Sequence, residues 1–132
     1  MLDFTVDPRA DVPPSRQIVD AVLDAVATGG LGPNGKLPSV RALAAKVLVN
    51  PNTVGKAYRE LETAGVVAGR NGLGVFVTEG GPQIARQARR DATLEDVRRA
   101  VRSALRAGHD PADLHREIED HSALDARGRQ RA

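Results

Sequence analysis

The sequence predicts a mainly helical α+β protein, and three observations lead to this prediction. Apolar residues recur at helical spacing in three segments before residue 65. Two short apolar stretches then flank Asn71-Gly72, a pair that is typical of the turn in a β-hairpin. A second helical region, rich in Arg and Ala, follows residue 83. We therefore expect three helices, a hairpin, and a C-terminal segment of two helices.

Composition and charge exclude several classes of protein. The chain has no Cys, so it has no disulfide framework, thiol nucleophile or Cys-based zinc site. No apolar run approaches the roughly 18 residues of a membrane helix, and no signal peptide is visible, so we expect a cytoplasmic protein without membrane contact. Residues 30–79 hold six bases and three acids, whereas residues 1–29 hold two bases and five acids. Nucleic-acid binding by the second segment is therefore one hypothesis.

The first predicted helix follows Pro13-Pro14 and ends at Gly29-Gly30. Its apolar stripe recurs every three to four residues. The stripe consists of Ile18, Val19, Val22, Leu23 and Val26. Ahead of this helix, apolar and polar residues alternate over positions 2–6. This alternation fits either a short strand or a disordered start.

The second predicted helix is short and begins at Ser39, whose hydroxyl can accept a hydrogen bond from a free backbone N–H. Its buried side is expected to consist of Val40, Leu43, Ala44 and Val47. Arg41 lies off that stripe, two residues after the cap. An exposed Arg at this position is either a solvated helix residue or a ligand for an anionic partner.

The third predicted helix has an unusual beginning, VNPNTV, with small, polar or rigid residues. Asn50 is a good N-cap, and Pro51 suits the first helical position, where no N–H is needed. The expected buried stripe is Val54, Ala57, Tyr58 and Leu61. The side chains left outside, near the positive end of the helix dipole, are Asn52, Thr53, Lys56 and Arg59.

Two short strands around Asn71-Gly72 complete this half of the chain. Two short helices joined by a turn and followed by a hairpin indicate a winged helix-turn-helix. Residues 50–64 would form its recognition helix, and residues 66–78 its wing.

The stretch GGPQ at residues 80–83 indicates a domain boundary, with an N-terminal domain at 1–79 and a helical domain at 80–132. The apolar stripes of the second domain are too thin to make a core alone. We expect them to form a dimer interface, and packing within one chain is the alternative. The residues of this C-terminal apolar stripe are Leu94, Val97, Val101, Ala104, Leu105, Leu114 and Ile118.

The segments LPSVRALA (37–44), VNPNTVGKAYREL (49–61) and GLGVFV together resemble the DNA-binding domain of the GntR family of bacterial transcription regulators. The NPNTV spelling and the short C-terminal region resemble its YtrA branch. The resemblance covers roughly residues 13–78. In this family the recognition helix often carries Arg where this chain has Gly55.

The resemblance implies a homodimeric, sequence-specific regulator, acting as a repressor on a near-palindromic operator in double-stranded DNA. It also implies that Arg41 contacts base and phosphate, that the start of the third helix enters the major groove, and that the wing tip reaches the neighbouring groove. The side chains off the third helix's stripe add phosphate contacts. The candidate DNA-binding residues are Ser39, Arg41, Asn50, Asn52, Thr53, Lys56, Arg59, Arg70, Asn71 and Gly72.

Other functions have less support in the sequence. His109, His115 and His121 are six residues apart, which is not the spacing of helical metal ligands, and no catalytic set or phosphate-binding loop is present. We expect neither an enzyme nor a cofactor or metal site. A winged helix that binds a protein instead of specific DNA is the alternative. A small-molecule effector of unknown identity remains compatible with the chain.

Overall fold

The computed structural model describes residues 2–130, and these form five helices and one two-stranded antiparallel sheet. The mainly helical α+β class is therefore confirmed. Met1, Arg131 and Ala132, at the ends of the two expected domains, lie outside the described residues. The elements are α1 Pro14–Ala27, α2 Val40–Val47, α3 Pro51–Thr63, β1 Val67–Arg70, β2 Gly74–Val77, α4 Gly81–Arg106 and α5 Pro111–Gln130.

The core lies where α1 and α2 pack on α3. The apolar stripes predicted for these helices are the faces that become buried. The largest fully buried side chains are Ile18, Val22, Val26, Leu37, Leu43, Val54, Leu61, Val66, Val67 and Val77. Each such side chain contributes about 1.5–3 kcal/mol by leaving water, so these stripes hold the three helices together.

Both predicted caps form at the helix-turn-helix. Ser39 Oγ accepts a hydrogen bond from the Ala42 N–H at 3.1 Å, and Asn50 Oδ1 accepts one from the Asn52 N–H at 2.8 Å. The turn between the two helices contains Leu48 in the left-handed region, with φ +58° and ψ +51°. Since this conformation is unfavourable for a residue with a Cβ, Leu48 places a small strain in the turn.

The N-terminal segment is extended but joins no strand in the part of the chain that is described. Leu2 is buried in the core, and its carbonyl oxygen accepts a hydrogen bond from Lys46 Nζ at 2.8 Å. The carbonyl oxygen of Asp7 accepts a bond from Gln17 Nε2, also at 2.8 Å. The alternation at residues 2–6 therefore reflects packing against α1 and α2, without a sheet.

The predicted hairpin forms, but its loop is one residue longer than a two-residue Asn-Gly turn. Arg70 pairs with Gly74, which leaves residues 71–73 in the loop. Gly72 has a φ of +72°, whereas Asn71 is not among the residues with positive φ. A type I′ turn needs positive φ at both central residues, so this turn is of another type.

A third segment lies beside β2. The Leu37 N–H donates to the Val75 carbonyl oxygen, and the Val77 N–H donates to the Gly35 carbonyl oxygen, both at 2.9 Å. Lys36 and Phe76 face each other between these bonds in an antiparallel bridge. The residues just before α2 are thereby joined to the wing.

The chain divides into two compact units, which among the described residues comprise 2–91 and 92–130. The boundary between these units lies within α4, which begins at Gly81 and continues to Arg106, whereas the division expected after residue 79 lies just before this helix. The first turns of α4 belong to the N-terminal unit because Ala85 is buried in its core. The functional division at residue 79 stays a prediction.

None of the helices in the described range combines the length and apolar character required to cross a membrane.

Candidate nucleic-acid interface

The start of α3 presents polar groups that the fold itself does not use. Asn50 uses its side-chain oxygen as the helix cap, which leaves its amide N–H₂ without a partner among residues 2–130. Asn52 is exposed in the first turn, and Thr53 is half-buried beside it. The positive end of the helix dipole lies at the same place, so this end of α3 favours an anionic partner.

Three cations near this helix are exposed and have no hydrogen bond or ion pair with any described residue: Arg41 in α2, and Lys56 and Arg59 in α3. Some other cations of the same unit are paired. Arg16 lies 2.8 Å from Glu60 and 3.2 Å from Asp20. Three unpaired positive charges of this unit therefore lie on the two helices that carry the candidate DNA-binding residues.

Ser39 is exposed, and its oxygen accepts the cap hydrogen bond. The hydroxyl proton stays available for an outside acceptor. Ser39 thus caps the start of α2, and Arg41 extends from the first turn of the same helix.

Arg70 is not at the tip of the wing. It ends β1, where its Nη2 donates a 2.8 Å hydrogen bond to Asn34 Oδ1 and its guanidinium lies 4.3 Å from the centre of the Phe76 ring. Asn34 in turn donates to Glu79 Oε1 at 3.0 Å. These contacts hold Arg70 against the sheet, and its role in DNA binding stays a prediction.

The wing tip consists of Asn71, Gly72 and Leu73, all exposed. Leu73 was absent from the residues predicted to bind DNA, although 62% of its surface is accessible. Its position after Asn-Gly could have identified it, since a hairpin tip is exposed whatever residue it holds.

Tyr58 connects the two helices of the motif. Its hydroxyl donates a 2.8 Å hydrogen bond to the carbonyl oxygen of Pro38, the residue before Ser39. Burial raises the pKa of the Tyr58 hydroxyl above its ordinary value, so the group remains a donor. The periodicity of α3 predicted a buried Tyr58 correctly but contained no signal for its partner.

A surface groove of about 790 Å³ separates the start of α2 from the wing, and we call it the wing groove. Lys36, Ser39, Gly72 and Leu73 are among its lining residues. Lys36 was missed as a candidate, although a basic residue directly before LPS was a visible signal.

The C-terminal unit carries exposed apolar side chains. Leu94, Val97, Leu105 and Ile118 are 46–60% exposed, and Leu124, which the sequence analysis did not include, is 61% exposed. Val101, Ala104 and Leu114 are half-buried. No residue from 92 to 130 is buried, so the C-terminal apolar stripe has no complete cover within the described chain.

A winged helix-turn-helix with unpaired cations and amides on its second and third helices is the architecture of a DNA-binding regulator. Residues 14–77 match the model of the family described as "Bacterial regulatory proteins, gntR family". The chain is 34% identical over 118 residues to the HTH-type transcriptional repressor YtrA of Bacillus subtilis, an alignment that covers 89% of this chain and 91% of the relative.

Two solved structures are also similar. A transcriptional regulator from Oenococcus oeni has a TM-score of 0.71 at 30% identity, covering 87% of this chain and 95% of the other. YtrA from Sulfolobus acidocaldarius, a GntR-family transcription factor, has a TM-score of 0.56 at 30% identity, covering 73% and 94%. The chain belongs to the GntR family and is a DNA-binding transcriptional regulator. Its function is regulatory and not enzymatic.

Proposed function

We propose that this chain is a dimeric repressor that binds a near-palindromic operator through the start of α3, Arg41 and the wing tip. The proposal rests on the exposed polar and cationic side chains of α2 and α3 that have no partner in the described chain. Some other surface cations of the same unit, such as Arg16, are paired. YtrA of Bacillus subtilis, which is similar over most of both chains, is named a repressor.

Each group has a chemical role at a DNA duplex. The amides of Asn50 and Asn52 suit adenine edges, and the guanidinium of Arg41 suits guanine or phosphate. Lys56 and Arg59 suit phosphates, which position α3 in the major groove without reading sequence. The positive dipole end of α3 adds to the attraction for phosphate.

The C-terminal apolar stripe supports dimerisation. Five large apolar side chains of the second unit are about half exposed or more, and none of the residues 92–130 is buried. Most of the stability of a helix in a protein comes from packing of its apolar face, so this stripe needs a cover. A second copy of the chain supplies the same stripe and would place two recognition helices about 34 Å apart, one turn of DNA.

The dimer also provides a route for regulation in the cytoplasm. A small-molecule effector that binds one arrangement of the C-terminal helices more tightly would shift the population toward it. The affinity for the operator would change by no more than the ratio of the effector's affinities for the two arrangements.

The test of operator recognition is fluorescence anisotropy at near-physiological salt, with DNA from upstream of the chain's own gene and a scrambled duplex. We expect wild type to prefer the upstream duplex. Arg41→Ala should lose about 1–3 kcal/mol of that preference, which corresponds to roughly 5- to 150-fold in affinity. Arg9→Ala is the matched control, because Arg9 is an exposed cation of the same unit outside the motif.

Equal losses for Arg41→Ala and Arg9→Ala would contradict the specific role of Arg41. Wild-type binding that is the same for both duplexes, together with no enrichment from a random duplex pool, would contradict operator recognition altogether.

The dimer is tested by light scattering after size-exclusion chromatography. Val97→Glu places a charge in the C-terminal apolar stripe and should shift the protein toward monomer. Ser103→Glu adds the same charge at an exposed polar position of α4 and should leave the dimer intact. A monomeric wild type, or equal behaviour of the two variants, would refute the proposed interface.

A further inference from the structure

Lys36 is held at a defined place by its backbone. It forms the bridge to Phe76, and the hydrogen bonds of Gly35 and Leu37 to β2 lie on either side of it. The next two residues lead directly to Ser39 and the start of α2. The Cα of Lys36 is therefore fixed between the wing and the helix-turn-helix.

The stem of Lys36 lies across a glycine of the wing. A Cβ at Gly74 would come within 2.9 Å of Lys36 Cε, and Gly74 has a φ of +117°, which glycine alone adopts easily. Because residue 74 has no side chain, the stem of Lys36 can lie over β2. The lysine side chain is thus directed by packing while its terminal amine remains exposed.

The amine of Lys36 has no carboxylate or other hydrogen-bond partner among residues 2–130, unlike Lys46, which donates to Leu2 and lies 4.0 Å from Asp3. Lys36 also lines the wing groove, between Ser39 on one side and the wing tip on the other. Both of these borders carry residues predicted to bind DNA. An unpaired ammonium between them suits a phosphate as a point charge.

We propose that Lys36 is a further DNA-binding residue, which contacts a backbone phosphate of the duplex in the wing groove and thereby positions the wing relative to α2. The inference rests on the proposed function, because it needs the duplex to lie across α2, α3 and the wing. The contact reads no base, so its contribution is the same for every DNA sequence.

The experiment measures affinity by anisotropy across a salt series, for wild type, Lys36→Gln, Lys36→Arg and Arg9→Gln. Each is tested with the upstream duplex and its scrambled counterpart. Loss of one phosphate contact lowers the slope of log K against log salt by about 0.9. The ratio of wild-type to Lys36→Gln affinity should therefore change about three- to fourfold for a fourfold change in salt.

We expect Lys36→Gln to weaken both duplexes by the same factor, Lys36→Arg to keep the wild-type slope, and Arg9→Gln to leave it nearly unchanged. An unchanged slope for Lys36→Gln overturns the inference, as does a loss confined to the upstream duplex. Failure of the proposed function is a separate result, in which wild type does not distinguish the duplexes; the slope comparison still decides the role of Lys36.

Discussion

The Tyr58 hydroxyl donates a 2.8 Å hydrogen bond to the Pro38 carbonyl oxygen, and so joins the middle of α3 to the residue before the N-cap of α2. The two helices that carry the candidate DNA-binding residues are therefore connected by a polar contact as well as by their apolar faces. The ring of Tyr58 is buried in the same core. This bond sets where Ser39 and Arg41 lie relative to the recognition helix.

Tyr58→Phe should lower the free energy of unfolding by about 1–2 kcal/mol, since it removes the bond and leaves a half-buried carbonyl without a donor. Urea denaturation followed by circular dichroism measures the change. An unaltered unfolding midpoint and slope would show that the Tyr58–Pro38 bond contributes nothing in solution.

The protein should lose stability at high pH because of Tyr58. Burial raises the pKa of Tyr58 in the folded state, whereas an unfolded chain has a tyrosine pKa near about 10. Above that pH the unfolded chain releases the proton and the folded protein keeps it, so stability falls as pH rises, by at most about 1.4 kcal/mol per pH unit.

The chain contains one Tyr and no Trp, so phenolate absorbance reports this group alone. We expect it to appear together with unfolding. The Tyr58→Phe variant, which retains all lysines, should show a shallower loss of stability over the same pH range. Phenolate formation near pH 10 in protein that remains folded would contradict the buried hydroxyl.

The cap and the proposed DNA contact of Asn50 can be separated by substitution. Asn50→Ala should cost about 1 kcal/mol of stability because the Asn52 N–H loses its acceptor. Asn50→Ser keeps an oxygen at the cap and should be nearly as stable as wild type. Both variants lack the amide N–H₂, so both should bind the upstream duplex more weakly; full binding by Asn50→Ser would assign Asn50 to the cap alone.

Leu48 offers a stabilising substitution. Its side chain is 89% exposed and its backbone is left-handed. Leu48→Asn therefore removes no buried apolar surface and introduces a residue that tolerates this conformation. We expect the free energy of unfolding to rise by about 1 kcal/mol. Leu73→Asn, at an exposed position without positive φ, should change stability by less than about 0.5 kcal/mol. Equal effects of the two substitutions would argue against strain at Leu48.

Gly81, the first residue of α4, should not tolerate a side chain. A Cβ there would lie 2.6 Å from the Val66 carbonyl oxygen and 2.9 Å from Val77 Cγ1. Gly81→Ala should therefore destabilise the protein by about 1–3 kcal/mol in thermal or urea unfolding. Gly128→Ala, in α5, is the control, since a Cβ there would meet no neighbouring atom within 4 Å, and it should be neutral or stabilising by up to about 1 kcal/mol.

The sequence predicted the elements of the N-terminal unit because their signals are local. The caps Ser39 and Asn50 act within three residues, and each apolar stripe depends on the 3.6-residue period. The extent of α4 was less predictable. Gly80-Gly81-Pro82 has the composition of a linker, and it became a helix start because Gly81 fits closely against Val66.

By itself, the sequence determined the order of the elements, their buried faces and the motifs that place the chain in its family, since each depends on residues near one another in the chain. Only the tertiary structure decided which polar groups remain available to DNA. It directed Tyr58 to Pro38, held Arg70 between Asn34 and Phe76, and left Lys36 free above Gly74. The partners of most of these pairs lie 20 to 38 residues apart in the sequence, and Arg70 and Phe76 lie 6 residues apart across the hairpin. They meet because packed helices and a paired strand bring distant segments together.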